Sequence, residues 1–254
     1  MKKRILLIIG IIIIIICGGV GYYFYLMNTQ EDMLKQEIIN YTNKDLLKDD
    51  YIVNVKTKGD YAYIEEAIKK YYQELSNNIK TINNYLIDSE LEKIMTPSNL
   101  EEDRPKFNNS KKTLDDAKKE INSSMDKIKK LCEEDYIKNL INDKIKDDYY
   151  QKLYNSLMYN EKDLKDLNNI KIDTEELSNN LTLFLDKSKE ILTFLEKNDK
   201  YWNIEKSSVY ITNENVLNEY NKIYKELKDI VDNKLSKYKN RTVSKGNSNS
   251  IIDV

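Results

Sequence analysis

The sequence predicts a mainly α-helical protein: an N-terminal transmembrane helix followed by an elongated antiparallel helical bundle, with one short β-hairpin near the C-terminal end. Three observations lead there. Only 6 Gly and 2 Pro occur in 254 residues, and Gly18, Gly19 and Gly21 lie together in one apolar run. That supply of turn residues is far below what sandwiches, barrels or doubly wound sheets need. Apolar residues recur at steps of three and four over long stretches, the period of a helix that buries one face. Finally, residues 5–27 carry no charge.

At 1.5 Å per residue that uncharged run is about 34 Å long, enough to cross a hydrocarbon core. Lys2, Lys3 and Arg4 precede it, and Glu31 and Asp32 follow soon after. The positive-inside bias then makes residues 1–4 a cytoplasmic stub, 5–27 a transmembrane signal-anchor, and 28–239 an extracytoplasmic helical domain. Tyr22, Tyr23, Phe24 and Tyr25 are expected at the outer membrane interface. A cleaved secretory signal fits less well, because apolarity continues past the usual length of such a core. A lipoprotein anchor at Cys17, followed by Gly18 and Gly19, is the alternative. Against it stands Ile16, where the peptidase prefers a small residue.

From Tyr61, the positions Ile64, Ile68, Tyr71, Leu75, Ile79, Ile82 and Leu86 predict one long amphipathic helix. Glu65 to Lys69 and Glu66 to Lys70 are i,i+4 pairs in the favourable order and are expected on its solvent face. Pro97 interrupts the pattern, and Ser98 with Glu101 has the spacing of a capping box. The next helix carries Leu114, Ala117, Ile121, Met125, Ile128 and Cys132. Another segment runs through Ile137, Ile141, Ile145, Tyr149 and Leu153. A further one runs through Leu177, Leu181, Phe184, Ile191 and Leu195, capped by Asp173 or Thr174. The last shows Leu217, Tyr220, Tyr224, Leu227, Val231 and Leu235, partly at the heptad spacing of a coiled coil, which suits either a core or a dimer seam.

Two stretches break the helical period. Trp202, Ile204, Val209 and Ile211 alternate around polar Glu205 to Ser208 and predict the hairpin. Tyr51, Val53 and Val55, ended by Lys58-Gly59-Asp60, suit a short strand. The polar tail 240–254 has no period and is expected to be disordered.

Composition excludes much chemistry. The chain has no His, which removes His-based acid/base work, Ser-His and Cys-His nucleophile pairs and the commonest zinc ligand. Lys plus Arg number 41 against 43 Asp plus Glu, a net charge of −2, so no basic surplus exists for nucleic acid. The richness in Lys, Asn, Ile and 20 Tyr matches AT-rich codons and suggests a low-GC bacterial source. Cys17 and Cys132 are too far apart in sequence and setting to suggest a disulfide scaffold, and Cys132 reads as a packed apolar residue.

Ser124 with Lys127 and Ser236 with Lys239 match the Ser-x-x-Lys pattern of penicillin-recognising enzymes, but no Ser-Asp-Asn or Lys-Thr-Gly companion occurs. The acidic doublets Asp49-Asp50, Glu101-Glu102, Glu133-Glu134 and Asp147-Asp148 read as solvated helix faces and ends, since no calcium-loop or phosphate-loop spacing accompanies them. Tyr149, Tyr150, Tyr154 and Tyr159 form an aromatic group suited to packing, or to a sugar or peptide.

No catalytic, metal or cofactor site is therefore expected. The surface around Tyr201, Trp202 and Tyr210 is the candidate partner-binding site, with Trp202 as a plug of the helical core the plainer reading. The implied roles are, first, a non-enzymatic interaction or spacer module of the cell envelope, anchored in the bilayer through residues 5–27, with a protein partner or self-association. A ligand-sensing or substrate-capturing domain comes second. An envelope enzyme working with carboxylates, Ser or Lys comes third.

Overall fold

The structure, a computed structural model, describes residues 27–158 and 161–238. Apart from Met27, the expected membrane span, its basic stub and the aromatic belt at Tyr22–Tyr25 lie outside the described residues, as does the tail 240–254. Among the described residues no helix is long and apolar enough to cross a membrane. The fold is mainly helical, with a short two-stranded antiparallel sheet near the C-terminus. The described residues group into two compact units, one within 27–74 and 134–163, the other within 75–133 and 164–238.

The first unit contains α1 (27–42), an irregular stretch over 51–56, the opening turns of α2 (Asp60–Leu86), then α6 (Glu134–Asn139) and α7 (Asp148–Met158). Leu34, Ile38 and Tyr41 of α1 join Ile64, Ile68, Tyr71, Ile137, Ile141, Ile145, Leu153 and Tyr154 in its core. Gly59 takes φ 61°, the left-handed conformation that lets the chain turn into α2.

The expected strand at Tyr51 to Val55 does not form. The segment has no regular secondary structure and no ladder partner; the Tyr51 and Asn54 carbonyls and the Lys56 amide bond to side chains of α2 instead. The expected helix from Ile137 to Leu153 is also two helices with a turn between them. Asn139, Asn142, Asp143 and Asp147 are poor helix residues, and Asp147 Oδ1 accepts from the Tyr149 amide at 2.8 Å to open α7.

The second unit takes the rest of α2, then α3 (Ser89–Ile94), α4 (Pro97–Glu102), α5 (Asn108–Leu131) and most of α8 (Glu161–Lys197). It continues with β1 (Trp202–Glu205), β2 (Ser208–Ile211) and α9 (Glu214–Asp229), which runs into a π-turn at Ile230–Leu235. Every apolar position predicted on α2 is buried, as are Leu114, Ala117, Ile121, Met125 and Ile128 of α5. Ion pairs show the helix directions. Lys111, Lys118 and Lys129 of α5 meet Glu196, Asp186 and Glu175 of α8 in reverse order, so these helices are antiparallel. Lys187 of α8 meets Glu226, and Glu176 meets Lys237 beyond α9, so α8 and α9 are antiparallel too. Exposed pairs of this kind add little stability, but they distinguish one register from its neighbours.

Two expected caps are corrected. The Ser98–Glu101 box does not open a helix: Thr96 is the N-cap of α4 and Pro97 sits in its first turn, where a missing N–H costs nothing. Asp173 and Thr174 lie inside α8, which starts at Glu161. No Gly or Pro interrupts that stretch, and buried Leu167 extends its apolar face.

Candidate functional site

Among the described residues, Glu65 and Lys69 are the charged side chains that are buried, at 0% and 2% exposure. The pair expected on the solvent face of α2 therefore faces inward. Burying charge is costly unless every polar atom finds a partner. Glu65 accepts from the Lys56 amide, the Thr57 amide at 2.8 Å, the Thr57 hydroxyl at 2.7 Å and Lys69 Nζ at 2.6 Å. Lys69 Nζ spends its three protons on Glu65, the Asn54 carbonyl at 2.8 Å and Glu37 of α1 at 3.1 Å.

Burial raises the Glu65 carboxyl, but the hydrogen bonds from Lys69, Thr57 and Lys56 outweigh it and hold the group below its ordinary value. Tyr41, which donates to the Lys69 carbonyl at 3.2 Å, is pushed up to about 12 by burial. The cluster is saturated. It ties the irregular stretch over 51–57 to two helices and offers no open acid, base or ligand position.

In the second unit, Trp202 is 3% exposed. Its indole Nε1 donates to the Leu195 carbonyl at 2.8 Å, and its ring stacks on Phe107 at a centroid distance of 6.1 Å. Phe107 precedes α5 with a left-handed φ of 52° and is fully buried. Arg104 closes the arrangement: Nε donates to Asp199 Oδ1 at 2.5 Å, Nη2 donates to the Trp202 carbonyl at 3.1 Å, and the guanidinium lies 4.3 Å from the indole centroid.

The hairpin pairs Trp202 with Ile211 and Asn203 with Tyr210. Neighbouring strand residues face opposite ways, so Trp202 and Ile211 point into the core while Tyr210 is 50% exposed on the other face. Tyr201 is half-buried beside Lys200. The three residues expected to form one docking surface are therefore divided between core and surface.

The remaining sequence candidates do not converge. Ser124 is buried while Lys127 is exposed, so they do not form a nucleophile pair, and Lys239 of the second match lies outside the described residues. The four acidic doublets are exposed. Cys132 is half-buried at the end of α5, one residue past the buried Leu131, and desolvation pushes its thiol up, away from the reactive thiolate. Tyr154 is fully buried and donates to the Ile137 carbonyl at 2.7 Å, while Tyr150 packs edge-on against Tyr61. Tyr149 is exposed and bonds Glu31; Tyr159 lies outside the described residues. No group of side chains suited to a metal ion occurs among the described residues.

The surface that stands out is on α9. Its buried side consists of Ile223 and Leu227, continued by Ile230, Leu235 and Tyr238. The five-residue step from Ile230 to Leu235 is accommodated by the π-turn there. The stripe expected from the sequence thus splits. Leu217 and Tyr224 are 37% and 46% exposed, and Ile223 and Ile230 take core places instead. Tyr220 links the two sides: it is half-buried, stacks on Tyr224 at 5.9 Å and lies 6.4 Å from Phe194 of α8. Desolvation, with Tyr224 nearby, pushes its hydroxyl up to about 12.

A shallow groove of about 440 Å³ runs between α8 and α9, lined by Lys189, Glu190, Phe194, Lys197, Glu219 and Ile223. Its rim is mostly charged, unlike the enclosed apolar pockets that hold small ligands. No family model, no curated protein and no solved structure matches this chain.

Proposed function

We propose that this chain is a non-enzymatic interaction or spacer module of the cell envelope, tethered through residues 5–27 with its helical part outside the membrane. The observation that carries the reading is the exposed apolar strip of α9, Leu217 and Tyr224 with Tyr220 between them. Aromatic and aliphatic side chains held on a rigid helix are favoured interface anchors. The antiparallel arrangement of α5, α8 and α9 supplies that rigidity.

The rival roles lack comparable support. A capture domain would use a pocket at the tyrosine group, yet Tyr154 and the Tyr61–Tyr150 pair fill that region with their own rings. An enzyme using carboxylates or Lys would need a group free to act, and the buried Glu65–Lys69 cluster has its bonds committed.

Crosslinking and capture from intact cells tests the reading. Cutting the chain before Val216 would remove Leu227, Ile230 and Leu235 from the core, so point variants are the better probe. The proposal expects a defined protein neighbour that is lost on Leu217→Ser with Tyr224→Ser while the melting temperature is kept. A neighbour retained by that variant would place the working surface away from this strip, and a ligand-dependent rise in melting temperature with no neighbour would speak for the capture or enzyme role.

A further inference from the structure

We infer that the exposed strip of α9 docks on the same strip of a second copy of this chain, the two helices running antiparallel about a two-fold axis between Tyr220 and Asn221. The inference rests on the interaction-module reading and names its partner. Leu217, Tyr220 and Tyr224 are spaced by three and then four residues, the step of a helix-pair seam. The part of the stripe that faces core is already occupied, whereas Leu217 and Tyr224 face solvent.

Charge complementarity selects the second copy. Beside the strip, exposed Glu214 lies at the N-terminal end of α9 and exposed Lys228 at the C-terminal end. On a helical projection at 100° per residue, both fall on the same flank of the Leu217–Tyr224 line, with Asn221 between them. Reversing the helix about the point between Tyr220 and Asn221 brings Leu217 against the second copy's Tyr224. It brings Glu214 alongside the second copy's Lys228, and the two-fold repeats both contacts. A parallel pairing would leave Glu214 and Lys228 of the two copies on opposite sides of the seam and forgo both contacts. One helix from each copy is a small interface, so association is expected to be weak and to depend on local concentration.

The test uses full-length chains bearing two different tags, produced in the same cell and recovered through one tag after crosslinking. Wild-type copies are expected to recover each other. Glu214→Lys in both copies, or Lys228→Glu in both, places like charges together twice and is expected to lower recovery about tenfold. Glu214→Lys in one copy with Lys228→Glu in the other restores opposite charges at both contacts, and recovery is expected to return to within about twofold of wild type.

That return cannot come from misfolded single variants. Failure of wild-type copies to recover each other, unchanged recovery in the single variants, or no return in the mixed pair overturns the inference. Capture of a different protein through Leu217 and Tyr224, with no second copy, overturns the inference but leaves the interaction-module reading standing.

Discussion

Arg104 lies over the indole of Trp202, its guanidinium 4.3 Å from the ring centroid, and the same side chain donates to the Trp202 carbonyl at 3.1 Å. One residue thus holds both the backbone and the ring of the hairpin's first strand, with Phe107 stacked on the indole at 6.1 Å. Removing the ring leaves a large cavity and an unpaired Leu195 carbonyl. Trp202→Ala is expected to cost about 3–5 kcal/mol of unfolding free energy, read by urea titration followed by circular dichroism. Arg104→Ala keeps the ring in place and is expected to cost less.

The Glu65–Lys69 cluster gives a second expectation. Lys69→Met leaves a buried carboxylate without its cation, a change that costs about 3–5 kcal/mol. Amide hydrogen exchange should show its largest increase over residues 51–57, because Lys56 and Thr57 depend on Glu65 for their amide bonds. Equal increases throughout the chain would mean that the cluster does not specifically hold this segment.

The same cluster sets the pH response. Glu65 is held below its ordinary value, and so is Glu37, chiefly by its bond with Lys56. A carboxylate depressed in the folded state contributes its full stability above the unfolded value of about 4.3 and loses it as pH falls through the folded value. Stability is therefore expected to fall below about pH 4, with a shallower slope in Glu65→Gln. At the alkaline end, Tyr41 stays protonated to about 12 in the fold. An unfolded tyrosine ionises near 10, so stability is expected to decline again between those values.

The hairpin turn offers a gain. Lys206 and Ser207 both take positive φ, 49° and 59°, a conformation that Asn-Gly adopts with less strain. Replacing them with Lys206→Asn and Ser207→Gly is expected to raise stability by about 0.5–1 kcal/mol in thermal melts. No gain would indicate that the turn is held by its neighbours at little local cost.

Sequence period made the large helices legible. The long apolar series on α2 and α5 is regular enough that its buried face follows directly, and alternation around Glu205–Ser208 located the hairpin. Helix α1 was harder to see, because Leu34, Ile38 and Tyr41 give a short pattern among charged residues. The inward turn of Glu65 and Lys69 was hidden because an i,i+4 pair looks the same on either face; the irregular stretch over 51–57, with Glu37 of α1, supplies the partners that make burial tolerable. On α9, a period of 3.5 fits Leu217 and Tyr224 as well as Ile223 and Ile230, and the π-turn that decides between them has no clear sequence signature. The surface strip was legible as a heptad but not as an exposed one.

The most direct test of the account compares wild type with Leu217→Ser, Tyr224→Ser in two readings, thermal melting of the purified chain and crosslinked capture in intact cells. Neither side chain is buried, with Leu217 37% and Tyr224 46% exposed, so melting is expected to change by no more than about 1 kcal/mol in stability for the two changes together, while capture of the protein neighbour is expected to fall to background. Capture that persists in the double variant would contradict the claim that this strip of α9 is the working surface of the protein.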